Sequence, residues 1–125
     1  MPATILIAED YDDNRELLRI VLSSAKYQVR EARNGHECLA IARENPPDLI
    51  MVDLSMPQLD GWEVFNALKA DLNTAKIPCV AVTAHADFDR DRALQLGFSA
   101  FVSKPFRTDE LLRTVAKLLE SHCPP

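Results

Sequence analysis

Glycine is scarce, three residues in a chain of 125, and no Gly-rich phosphate loop follows the first apolar run. Glu9-Asp10 stands there instead and would repel a nucleotide, which removes support for a flavodoxin-like nucleotide binder. Cysteine is equally sparse: Cys38, Cys79 and Cys123 are odd in number and lack metal-ligand spacing, which argues against a disulfide framework or a zinc site. Reduced thiols are expected, with Cys38 and Cys79 acting as small buried hydrophobes and Cys123 exposed in a tail. No apolar run approaches the roughly 18 residues of a membrane span, and no signal peptide precedes the first strand, so the expected location is cytoplasmic. Basic residues are outnumbered, 14 against 19 acidic, and the net charge of −5 speaks against nucleic acid or a membrane as partner. EF-hand spacing, internal repeats and low-complexity segments are also missing.

What is present suits one compact domain, 47% hydrophobic and long enough to bury a substantial core. Its centre is Leu49-Ile50-Met51-Val52, an apolar run that ends at Asp53 and breaks into Met56-Pro57 and Asp60-Gly61. The run reads as a strand buried on both faces of a parallel sheet, with Asp53 at the carboxyl end, where open α/β sheets carry their sites. Pro57 stiffens the loop and Gly61 is expected to supply a left-handed turn. Thr4-Ile5-Leu6-Ile7-Ala8 repeats the plan, ending in Glu9-Asp10.

Asp12 or Asp13 is expected to cap a helix through about residue 26, with Leu17, Leu18, Val21, Leu22 and Ala25 inward and Arg15, Glu16 and Arg19 facing water. Residues 28–32 alternate as a charged edge strand, and Asn34-Gly35 turns into a helix over 36–44 that stops before Pro46-Pro47. A helix follows over 62–71, where Trp62 is a packing residue, and then a strand over 77–82 ending in Thr83-Ala84-His85. A charged helix over 87–96 is closed by Gly97, a strand over 100–102 ends at Ser103-Lys104-Pro105, and a last helix covers 109–120. Five strands alternating with five helices predict a doubly wound α/β fold, a three-layer α/β/α sandwich.

One edge of that sheet would gather Glu9, Asp10, Asp53, Thr83 and Lys104. Such a hard-oxygen set calls for Mg²⁺, and its carboxylates are expected to raise one another's pKa values, offset in part by Lys104.

In this order and spacing, Glu9-Asp10, Asp53 with Met56-Pro57 and Asp60-Gly61, Thr83-Ala84, and Phe101 before Lys104-Pro105 resemble a response-regulator receiver domain. The resemblance covers residues 1–121, leaving 122–125 as a tail, and is to single-domain receivers of the chemotaxis or cell-fate kind. It implies a flavodoxin-like five-stranded parallel sheet of order 2-1-3-4-5. It further implies that Asp53 accepts a phosphoryl group from a phosphohistidine of a sensor kinase or phosphotransfer protein. Mg²⁺ would be held by Asp10, Asp53 and the Ser55 backbone carbonyl, with Glu9 acting through water. Lys104 would offset charge, aimed by a cis bond to Pro105, and Thr83 and Phe101 would form the switch toward a downstream protein target. Phe106 is expected to dock the kinase or to staple the last helix, and Ser55 and His85 occupy positions that tune phosphoryl lifetime. Phe98 stands where the family commonly has a small residue, to fill a gap or to present a contact. An enzyme is not expected beyond the domain's own phosphorylation and dephosphorylation. The alternatives are a receiver excised from a hybrid kinase or longer regulator, or a small Mg²⁺-dependent phosphohydrolase. The latter lacks a second Asp two residues beyond Asp53, where Ser55 stands.

Overall fold

The computed structural model describes residues 2–122, along which strand and helix alternate. In order they are β1 (Thr4–Ala8), α1 (Asp12–Ser24), β2 (Gln28–Ala32), α2 (Gly35–Glu44) and β3 (Leu49–Asp53), then α3 (Gly61–Ala70), β4 (Cys79–Thr83), α4 (Ala86–Leu96), β5 (Ala100–Ser103) and α5 (Thr108–His122). The strands make one parallel sheet of order β2-β1-β3-β4-β5, the flavodoxin-like arrangement expected. Side chains of period two divide the core. Leu6, Ala8, Ile50, Val52, Cys79 and Ala81 meet α2 and α3, while Ile5, Ile7, Leu49, Met51, Val80 and Val82 meet α1 and α5. Both faces of the central strands are therefore covered, and their sequences read as unbroken apolar runs. Among the described residues no helix is long and apolar enough to cross a membrane.

Several local expectations change. Tyr11 is the N-cap of α1 and no side chain caps it; Asp12 and Asp13 lie within the first turn, where acids favour the helix dipole. Leu17 is 48% exposed while Leu18, Val21 and Leu22 are buried, because position 17 lies about 100° around the helix from Leu18. Arg15 does not face water: its side chain is only 12% exposed, and Nη1 donates to the Glu9 carbonyl at 3.0 Å. It sits about 60° from Leu18, on the rim of the buried stripe rather than opposite it. β4 begins at Cys79, two residues later than read, and Ile77 is buried without joining the strand. α5 extends to His122, so only Cys123 and the two prolines of the expected tail remain, and these lie outside the described residues.

Buried Phe98 fills a gap rather than presenting a contact. It stacks on Phe65 with centroids 4.0 Å apart and meets Trp62 edge-on at 5.9 Å. The Arg92 guanidinium covers the Trp62 ring at 4.1 Å, which confirms Trp62 as a packing residue. Cys38 and Cys79 are buried and free, their thiols pushed up to about 12 and about 11 chiefly by burial.

The β3–α3 loop is stiffened differently from the expectation. Gln58, with φ of 65°, takes the left-handed conformation, and Gly61 is required for closeness instead. A Cβ on Gly61 would lie 2.6 Å from the Asp53 carbonyl oxygen and 2.7 Å from the Leu54 Cα. Asp60 then caps α3, accepting from the Glu63 N–H at 2.9 Å while Glu63 reaches back to the Asp60 N–H at 3.1 Å. Gly61→Ala must push backbone against backbone, and is expected to cost about 2 kcal/mol or more of stability, read as a lowered urea midpoint at unchanged slope.

Candidate functional site

Register builds the site. Ala8 pairs with Val52, Asp53 with Val82 and Thr83 with Ser103, so the next residue of each strand emerges along one edge of the sheet. Two loop hydrogen bonds continue the ladder there: Leu54 N–H donates to the Val82 carbonyl at 2.9 Å and Lys104 N–H to the Thr83 carbonyl at 2.7 Å. Glu9, Asp10 and Asp53 thereby bring one carboxylate oxygen each within 4.8 Å of one another. Lys104 Nζ lies 2.6 Å from Glu9 Oε1 and 2.8 Å from Asp53 Oδ2, so one ammonium spans two nearly buried carboxylates. The other oxygens are also held: Asp53 Oδ1 accepts from the Ser55 N–H at 2.9 Å, and Glu9 Oε2 from the Tyr11 N–H at 3.3 Å. The Lys104-Pro105 bond is cis, as the resemblance implies.

Thr83 is fully buried beside this cluster. Its hydroxyl donates to Asp89 Oδ2 at 2.7 Å and accepts from the His85 N–H at 2.9 Å. Phe101 is half-buried against the α2–α3 side of the core, with the Arg90 guanidinium 5.1 Å above its ring. Phe106 is half-buried against the opposite cluster, the geometry of a staple on α5 more than of an exposed docking residue. Ser55, His85 and Pro105 are exposed. Two partners escaped the sequence reading, Arg15 on the Glu9 carbonyl and Asp89 on Thr83. Neither has a sequence signal, since one depends on a helix rim and the other on how α4 leaves the sheet.

The carboxylates do not simply raise one another. Burial, and then its hydrogen-bonded pairing with Asp53, push Glu9 up to about 7 against the pull of Lys104. Burial also works to raise Asp53, but hydrogen bonds with Glu9, Lys104 and the Ser55 amide outweigh it and hold Asp53 below its ordinary range. Burial would lower Lys104, yet its bonds to Asp53 and Glu9 keep it above its ordinary value. Near neutral pH Asp53 is therefore ionised and Lys104 charged, and of the two coupled acids Glu9 is the one that takes up a proton more readily. Three convergent carboxylates with no Cys or His form the hard-oxygen donor set that suits Mg²⁺.

Residues 5–116 match the family model of the response regulator receiver domain. The polar-differentiation response regulator DivK of Brucella anthropi is 38% identical over 120 residues, an alignment covering 95% of this chain and 98% of that protein. Among solved structures, the signal receiver domain of a signal transduction histidine kinase from Syntrophus aciditrophicus superposes with a TM-score of 0.89 at 32% identity, covering 98% of this chain and 94% of that one. The receiver domain of sensor histidine kinase PA1611 from Pseudomonas aeruginosa, solved with a magnesium ion coordinated in its active-site cleft, has a TM-score of 0.89 at 30% identity, covering 96% and 99%.

The raised Glu9 pKa links this cluster to stability. Between pH 4.5 and about 7 the folded protein keeps a proton that the unfolded chain has released, so stability falls as pH rises across that window and levels off above it. Asp53, held low, loses its contribution only as pH falls below its ordinary 3.8, and Lys104, held high, only as pH rises past 10.5. Urea unfolding with a chelator present, from about pH 5 to about pH 8, is expected to show the decline, and Glu9→Gln to flatten it.

Proposed function

This chain belongs to the response regulator receiver family, and from the charges at its strand ends we propose that Asp53 is its phosphoacceptor, charged from a phosphohistidine with Mg²⁺ present. The observation that carries the reading is the Lys104 ammonium spanning Glu9 and Asp53 at 2.6 and 2.8 Å, beside a third carboxylate on Asp10.

Asp53 is the nucleophile because it is ionised and ends the central strand β3 at the carboxyl end of the sheet. One of its carboxylate oxygens forms the new P–O bond as the donor's P–N bond breaks, and the imidazole nitrogen keeps the bonding pair and takes a proton from solvent. The Ser55 N–H orients the carboxylate throughout. Lys104 remains a cation through the transfer and offsets charge on the phosphoryl oxygens. The Thr83 hydroxyl turns to donate to one of those oxygens, and the exposed Ala84 methyl leaves room for the donor to approach. Asp10, Asp53 and the Ser55 carbonyl would hold the metal, with Glu9 acting through water. When bound, Mg²⁺ supplies positive charge that neutralises the transferring group. The magnesium in the PA1611 receiver supports this choice of ion.

A phosphoryl group adds up to about two negative charges and three acceptor oxygens, enough to draw Thr83 inward and let the Phe101 ring follow. The output is then a changed surface of α4, β5 and α5, read by a downstream protein. A sensor histidine kinase or phosphotransfer protein is the donor, in the cytoplasm, and the only chemistry is the domain's own phosphorylation and dephosphorylation.

Incubation with acetyl phosphate and Mg²⁺ is expected to add one phosphoryl group, located on Asp53 by mass spectrometry, and Asp53→Asn to abolish it. Label on another residue, or labelling indifferent to a chelator, would overturn the assignment. Profiling phosphotransfer from purified histidine kinases then identifies the donor.

A further inference from the structure

We propose that Asp89 is a positioning residue for the switch, a latch that holds the Thr83 hydroxyl toward α4 and thereby limits how often the free protein adopts the phosphoryl-binding arrangement. The proposal rests on the reading of Thr83 as the hydroxyl that meets the phosphoryl oxygens.

A threonine hydroxyl has one proton to donate. At 2.7 Å from Asp89 Oδ2, an oxygen of an acceptor-only carboxylate, Thr83 has committed that proton, and its oxygen already accepts from the His85 N–H. A phosphoryl oxygen is also only an acceptor, so the two destinations are mutually exclusive. The bond is built to be released. Thr83 is fully buried, but Asp89 is half-buried, so water can take over the carboxylate once the hydroxyl has turned away.

Asp89 also sits where its release has consequences. It lies four residues past His85, the N-cap of α4, a helix start that has no side-chain cap of its own. The Thr83–Asp89 bond therefore ties the first turns of α4 to the end of β4. The following residue, Arg90, covers the Phe101 ring at 5.1 Å, and Arg92 covers Trp62 on α3 at 4.1 Å. One short stretch of α4 thus holds the switch hydroxyl, the switch ring and the neighbouring helix. Removing the latch destabilises only the resting arrangement, and apparent affinity for a phosphoryl mimic rises with the fraction of competent protein.

The test titrates the ¹⁵N-labelled chain with beryllofluoride in Mg²⁺ and follows the Thr83 amide by NMR. Asp89→Ala is expected to tighten apparent binding about five-fold, nearer the net worth of an ordinary hydrogen bond than of a charge-assisted one because Asp89 is partly solvated. Asp89→Asn keeps the size and a neutral acceptor, and is expected to fall between Asp89→Ala and the parent. In a Thr83→Ala background the gain from Asp89→Ala should vanish, because the hydroxyl through which it acts is gone. A parent protein whose Thr83 amide ignores beryllofluoride would sink the reading of Thr83 itself. A responsive parent whose Asp89 variants bind no more tightly would sink the latch alone, as would a gain that survives in the Thr83→Ala background.

Discussion

The site depends on one ammonium placed between two carboxylates that water barely reaches. Lys104 is 95 residues from Glu9 and 51 from Asp53 along the chain, so the ion triad exists only when β1, β3 and β5 are all in register. Burying an isolated carboxylate costs several kcal/mol, and removing Lys104 would leave two acids with no counter-charge. Part of the tension is relieved by a proton: Glu9 is driven toward neutrality while Asp53 stays ionised. One environment thus pushes the two acids of one cluster in opposite directions.

The surrounding structure serves that division. The Arg15 guanidinium fixes the Glu9 carbonyl from α1, and the close approach of Gly61 to the Asp53 carbonyl draws the β3–α3 loop over the strand end. On the other side, Thr83 has no direct share in the triad and leans instead on α4 through Asp89. Thr83, a buried residue of β4, thus stands between Lys104, whose N–H its carbonyl accepts, and α4, which its hydroxyl meets. Such a meeting point lets a change of charge on one side become a change of position on the other, because the hydroxyl can satisfy only one acceptor at a time.

Sequence reasoning succeeded where the physics is local or periodic. The apolar runs of β1 and β3, the αL stop at Gly97 and the Asn34 turn into α2 all follow from neighbouring residues, and each stands as read. It failed where geometry is set from a distance. Leu17 and Arg15 exchanged roles because the exact centre of the buried stripe of α1 depends on how the helix sits over the sheet. The left-handed residue of the β3–α3 loop is Gln58, and Gly61 answers to crowding by the Asp53 backbone.

Residue identities alone determined that strands would end in acid, hydroxyl and amine, because the apolar-to-polar boundary of each run is written in consecutive positions. They also determined the sandwich, since alternating strand and helix patterns leave few ways to bury both faces of a sheet. Only the tertiary structure decided which acid is pushed up and which down, which oxygen of Asp53 meets Lys104, and that Thr83 rests on Asp89. The reason is physical: burial, pKa and hydrogen-bond choice depend on distances between segments far apart in the chain, and those distances exist only after the strands have paired.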